Sequence, residues 1–164
     1  MRLASPALPS SPGGSAVAAA LPAKYAMRAV PGGQNVSIPY EWHDAPGATK
    51  SFALILVDSA PMARGWVHWA VVNIPASATD VAEGASGTDA MPHGATELDN
   101  TFGFAGYGGP QPPVGSGPHA YVATLYALDI VRVDAPRNAP MSQLERLLVD
   151  HTLERATCTA YFGR

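Results

Sequence analysis

Gly65-Trp-Val-His-Trp-Ala-Val-Val-Asn-Ile74 is dominated by aromatic and β-branched side chains and is closed by Pro75. Branched and aromatic residues fit a pleated surface and lose rotamer freedom in a helix, so this stretch is predicted to be a strand. Working outward, Ser51–Asp58 (SFALILVD) is a continuous apolar run of strand length that ends in an acid. His119–Val133 (HAYVATLYALDIVRV) is a long strand candidate, and Ala156–Phe162 is expected to be the last strand. One helix is expected after Pro140, where Ser142-x-x-Glu145 has the form of a capping box. Leu144, Leu147, Leu148 and Leu153 then fall near one face, and the helix is expected to end near Arg155 and pack on the sheet. The fold class that follows is mainly all-β, a β-sandwich or related fold with one C-terminal helix.

At 164 residues the chain is sized for one domain with a sizeable core. Gly and Pro number 16 each and follow no period, which argues for many turns rather than long helices. Residues 1–20, rich in Ser, Pro, Gly and Ala, read as an irregular lead-in, and 21–164 as the single domain. The formal net charge of −3 provides no global basic field, so nucleic acid is not an expected partner and any anion must be held by a local site. Cys158 is the only cysteine, which excludes an intrachain disulfide and a Cys-based metal site; it reads as a buried, inert thiol. The apolar stretch Ala16–Leu21 is shorter than a signal-peptide core, and no run approaches the ~18 apolar residues of a membrane span. The cytoplasm is the expected location.

Alternate residues on a strand share a face, so Trp66 and His68 are expected to point one way and Val67 and Trp69 the other, with His119 and Tyr121 together on theirs. Asp58 closes its strand before the turn Ser59-Ala60-Pro61. Were the strand ends to converge, Asp58, His68 and His119 would form a polar cluster inside an aromatic rim. Each has an ordinary alternative: a histidine between tryptophans can be a hydrogen-bonded core residue, and an acid at a strand end can serve the turn. Residues 76–118 form a long Gly/Pro-rich irregular stretch, of the kind that is functional or braced by its own packing. Within it, the loop Gly106–Gly117 combines glycines that permit close backbone approach with Pro110, Pro112 and Pro113, which stiffen it. Such a loop can aim backbone N–H groups at an anion. It is not a phosphate-cradling P-loop, since no Gly-Lys-Ser/Thr follows.

These segments resemble the phosphatidylethanolamine-binding protein (PEBP) family, which includes Raf kinase inhibitor protein, and in particular its bacterial branch. The matching stretches are Gly33–Trp42, Ser51-Phe-Ala-Leu, Asp58 with Ala60-Pro61, Gly65-Trp-Val-His-Trp69, Val72-Asn-Ile-Pro75, Tyr107-Gly-Gly-Pro-x-Pro-Pro113, His119-x-Tyr121, Leu125-Tyr-Ala-Leu128 and Ala160-Tyr-Phe-Gly163. They run in the family's order from about Leu21 to the end. The resemblance implies a PEBP-like β-sandwich with Greek-key connections. It implies a pocket for phosphate-like anions or phospholipid headgroups on Asp58, Trp66, His68, Gly109, Pro110, Gln111, Pro112, His119 and Tyr121. It also implies no cofactor and no metal, and carries homodimerisation and regulation of a kinase or other protein partner as expectations. Three departures stand out. The family's Asp-Pro-Asp-Ala-Pro turn is here Asp58-Ser59-Ala60-Pro61, one residue shorter; Gln111 replaces a Cys or Gly; and Ala120 replaces an Arg.

The function this supports is binding of a small anionic ligand, with His68 and His119 donating to an oxygen, Tyr121 adding its hydroxyl and Asp58 orienting a histidine. The alternative is an enzyme using the same pocket, an isomerase or cyclase with His68, His119 and Asp58 as acid/base groups. A Ser-His-Asp hydrolase is the weaker form of that alternative, because no serine sits in a nucleophile elbow. Two histidines and a carboxylate also match the ligand set of a mononuclear iron site, a third reading.

Overall fold

The computed structural model describes residues 1–8 and 19–164. In chain order its strands are β1 (Arg2–Ala4), β2 (Ala19–Ala20), β3 (Tyr40–His43), β4 (Ser51–Asp58), β5 (Trp66–Pro75), β6 (Asp80–Val81), β7 (Thr96–Glu97), β8 (His119–Leu128) and β9 (Thr152–Phe162). Helix α1 (Met141–Val149) connects β8 to β9. The larger sheet has the order β2-β9-β8-β4-β5-β7 and the smaller one β1-β3-β6. All pairings are antiparallel except β2 with β9, which is parallel.

Strand β4 lies inside the larger sheet, between β8 and β5. It is covered on both faces, which is why its sequence is a continuous apolar run rather than an alternation. Phe52, Leu54 and Leu56 join Trp69, Leu125 and the small sheet's Tyr40, Trp42 and Val81 in one core. Ala53 and Ile55, on the other face, pack with Leu144 and Leu148 of α1. The large sheet is therefore the middle layer between a short sheet and a helix.

Four expectations change here. Arg2–Ala4 pairs with β3, and Ala19–Ala20 with β9, so these parts of the lead-in are sheet, supplying partners for strand edges that would otherwise be open; residues 9–18 lie outside the described ones. Strand β8 stops at Leu128 rather than Val133. Beyond it Asp129 N–H donates to the His151 carbonyl, and Val133 N–H to Asn73 Oδ1 at 2.7 Å, which takes the backbone out of the ladder. The helix ends at Val149, because the backbone from Thr152 pairs with β8; Leu153 is a strand residue and exposed. The helix also starts earlier than the capping box requires. Pro140 is its N-cap and accepts from the N–H groups of Gln143 and Leu144, so Ser142 lies inside the first turn and makes no cap.

The Gly/Pro-rich stretch is held by two polar side chains. The Glu97 carboxylate accepts from Trp69 Nε1 (2.7 Å), Ser86 Oγ (2.5 Å) and Gly87 N (2.8 Å). Asn100 accepts from Phe102 N and donates to the Gly106 carbonyl, both at 2.9 Å. Together they set the positions of Phe102 and of the loop that follows Gly106.

Candidate functional site

Asp58, at the end of β4, is the register partner of Trp66 in β5 and of Tyr121 in β8, so three strand ends meet at one level. Between Leu56 and Val57 the β4–β5 register slips: Leu56 faces Trp69, but Val57 faces Val67. His68 is the extra residue of a β-bulge, a feature that re-aims side chains at sheet edges. Simple alternation across Trp66–Trp69 therefore fails. Val67 packs in the helix-side core while Trp69 joins the opposite one, and the bulge lets His68 and Trp69 both serve the side that Asp58 and Tyr121 occupy.

The result is a cavity of about 280 Å³ lined by Asp58, Met62, Ala63, Trp66, His68, Phe102, Gln111, Pro112, Pro113, His119 and Tyr121. The 3-10 turn Pro61–Ala63 supplies Met62 and Ala63, and Phe102 meets the Trp66 and His68 rings edge-on at 5.2 and 5.6 Å between centroids. Tyr121 packs edge-on to His68 at 5.1 Å.

The polar atoms at this cavity have defined roles. His119 Nδ1–H donates to Asp58 Oδ2 at 2.6 Å, with both residues buried. The other carboxylate oxygen of Asp58 accepts from Ala60 N–H at 2.9 Å, closing the shortened turn as an Asx turn. Nε2 of His119 is 3.0 Å from Ser116 Oγ, so both of its nitrogens are engaged. His68 Nδ1 is 2.6 Å from the Gly108 carbonyl. A carbonyl only accepts, so Nδ1 carries a proton and Nε2 is left to address the cavity. Burial lowers the His68 pKa from its ordinary value; the Gly108 carbonyl and the Asp58 carboxylate oppose this and are outweighed.

Among the described residues three buried side-chain donors have no hydrogen-bond partner: Trp42 Nε1–H in the core, and Trp66 Nε1–H and the Tyr121 hydroxyl on residues that line the cavity. The Tyr121 hydroxyl lies near enough to the Asp58 carboxylate to feel its charge, but makes no hydrogen bond of good geometry with it. Burial first, then Asp58, raises its pKa well above the usual phenol value. An unpaired buried donor costs about 1–3 kcal/mol, which a partner entering the cavity would recover.

Seven of the nine residues anticipated from sequence line this cavity: Asp58, Trp66, His68, Gln111, Pro112, His119 and Tyr121. Gly109 and Pro110 do not. Gly109 N–H donates to Asn35 Oδ1 at 2.7 Å, and the Pro110 carbonyl accepts from Met27 N–H at 3.1 Å, so both fasten the loop to residues 25–35. The anion-nest reading fails at the loop's first glycines for the same reason: the N–H groups of Gly106, Gly108 and Gly109 are spent on Leu98, His68 and Asn35. Sequence reasoning missed Phe102, Met62, Ala63 and Pro113. Aromatic residues spaced among glycines in Thr101-Phe-Gly-Phe-Ala-Gly-Tyr107 were the available signal for Phe102. No group of three His, Cys, Asp or Glu side chains among the described residues is arranged to hold a metal ion, which removes the geometric basis of the iron-site reading.

A family model described as phosphatidylethanolamine-binding protein matches residues 14–163. The chain belongs to that family. Among its relatives, the UPF0098 protein YbhB of Escherichia coli K12 is 40% identical over 133 residues, covering 80% of this chain and 84% of that one. The crystal structure of E. coli YbcL, described as a member of the mammalian PEBP family, superposes with a TM-score of 0.86 at 30% identity, over 99% of this chain and 98% of that one. The PEBP homologue CT736 of Chlamydia trachomatis gives a TM-score of 0.78 at 28% identity, over 99% and 97%. The mainly β fold and a ligand-binding role in general terms come with the family. No helix among the described residues is long and apolar enough to cross a membrane.

Proposed function

We propose that this cavity binds the oxyanion end of a small organic ligand, a phosphomonoester or a related headgroup, and holds its organic part against the apolar wall. The observation that carries the reading is the pair of unpartnered buried donors, Tyr121 O–H and Trp66 N–H, beside the hydrogen-bonded Asp58–His119 pair in one cavity. Donors without partners, carried by two residues that line the cavity, match the needs of an oxyanion once the side chains turn toward it. Met62, Phe102, Pro112 and Pro113 give the remainder of the ligand an apolar surface. Two expected donors change role: His119 Nδ1 is committed to Asp58 and its Nε2 faces Ser116 Oγ at 3.0 Å, so it orients and polarises rather than grips, and the Nδ1–H of His68 is spent on the Gly108 carbonyl.

Calorimetric titration of phenyl phosphate into the wild type and Tyr121→Phe tests this. The variant keeps the ring and removes the donor, and about tenfold weaker binding is expected from the loss of one hydrogen bond. Equal affinity in the two proteins, or no binding to the wild type at pH 6, would remove the reading.

A second reading is favoured by the chain Asp58–His119–Ser116, at 2.6 and 3.0 Å, which has the order of an acyl-transfer relay. Against it, Ser116 Oγ also lies 2.8 Å from the Pro113 carbonyl, which accepts the same single proton. A fluorophosphonate adduct on Ser116 would establish the relay; an unmodified protein after prolonged incubation would dismiss it.

A further inference from the structure

The cavity contains acceptors as well as donors, and this restricts the form of ligand it can take. His68 Nδ1–H is committed to the Gly108 carbonyl, so in the neutral form that burial favours the ring presents a lone pair at Nε2. Asp58 adds a carboxylate to the lining, and no lysine or arginine lines the cavity to balance it. The titratable groups around His68 are Asp58 from β4 and His119 and Tyr121 from β8; the loop side offers the Gly108 and Gly109 carbonyls and the Phe102 ring. A fully ionised phosphate dianion placed here meets a lone pair and a carboxylate, and a like charge in a buried site is strongly disfavoured.

Resting on the anion-binding reading above, we infer that the site selects the monoprotonated form of a phosphomonoester, whose remaining P–O–H donates to His68 Nε2 while its unprotonated oxygens accept from Tyr121 and Trp66. The ligand proton thus takes the place that a basic side chain fills in other phosphate sites. A sulfate monoester has the same shape and charge as the phosphate monoanion but no proton to donate. It leaves Nε2 facing an oxygen lone pair. Burial acts in the same direction, because it disfavours a second proton on His68 and so favours the ring as an acceptor.

The test compares three probes by calorimetry from pH 5.5 to 8: phenyl phosphate, phenyl sulfate, and phenylphosphonate, whose second proton leaves at higher pH. Phenyl phosphate is expected to bind at least tenfold tighter than phenyl sulfate at pH 6 and to weaken as its second ionisation, near pH ~6 for a phosphomonoester, is passed. The midpoint for phenylphosphonate is expected at higher pH, following the ligand rather than the protein. His68→Asn supplies a further arm. Its amide can still donate to Gly108 but offers no acceptor at the Nε2 position, and it is expected to bind phosphate and sulfate alike. If wild type binds phosphate and sulfate equally, or both phosphorus probes share one midpoint, the ligand-proton proposal is overturned while the anion pocket stands. If none of the three binds, the pocket reading itself fails and this inference with it.

Discussion

Replacing Gly109 by alanine separates a packing role from a ligand-contact role for the loop, and the structure fixes the size of the effect. A Cβ on Gly109 would overlap the Tyr25 carbonyl oxygen and lie 2.7 Å from Ala26 C and 2.8 Å from Met27 N. All three are backbone atoms and cannot rotate away. Restoring ordinary contact distances near 3.5 Å requires the loop to retreat by about 1 Å. That retreat breaks the bonds from Gly109 N–H to Asn35 Oδ1, now 2.7 Å, and from Met27 N–H to the Pro110 carbonyl, now 3.1 Å. Two hydrogen bonds at about 1 kcal/mol each, plus 1–3 kcal/mol for overpacking, give a loss of about 3–5 kcal/mol. Gly115 is the control. It lies in the same loop with φ +78° and nothing within 4 Å of an added Cβ, so alanine there costs only the left-handed backbone, about 1–2 kcal/mol. Urea unfolding followed by tryptophan fluorescence measures both. Because Gln111 and Pro112 follow Gly109 into the cavity, phenyl phosphate affinity should also fall in Gly109→Ala and not in Gly115→Ala. Were Gly109→Ala to cost no more than Gly115→Ala, the argument from backbone overlap would be wrong.

Two further outcomes follow from buried titratable groups. His68 has a lowered pKa in the fold, so its contribution to stability is present above the unfolded value of 6.5 and is lost as pH falls below it, where the unfolded chain takes a proton that the folded one refuses. The unfolding free energy of His68→Asn should therefore fall less steeply than that of the wild type on acidification below pH 6.5, and identical slopes would count against a buried neutral His68. Cys158 is half-buried, with its thiol pKa pushed up by burial. Iodoacetamide should alkylate it more slowly than free cysteine at pH 8, and a matching rate would show that the thiol is neither shielded nor shifted.

The cores of β4, β5 and β8 were legible in the sequence because each is a long branched or aromatic run whose hydrophobicity is a local property. Most of the site was legible for a related reason: Asp58, His68, His119 and Tyr121 stand at the ends of those runs, where polar residues interrupt apolar ones. The helix limits and β1 and β2 were not. Both depend on which distant backbone groups are free to pair: β9 claims the chain from Thr152, and β3 and β9 offer edges to Arg2–Ala4 and Ala19–Ala20. Gly109 is legible in the sequence as a loop glycine, but only the approach of Tyr25–Met27 shows why no side chain fits there.

The sequence by itself determined the layers of this protein, its single helix region and the residue types gathered at one end of its sheet. The tertiary structure alone decided which way those residues face and which of their atoms remain free. An alternation rule placed Val67 and Trp69 together, and the bulge at His68 separates them, because register is set by cross-strand pairing with Leu56 and Val57 rather than by neighbours along the chain. The same holds for the histidines. Their spacing names them as candidates, but the carbonyl of Gly108 and the carboxylate of Asp58, brought up from 40 and 61 residues away, decide which nitrogen carries a proton and which one meets a ligand.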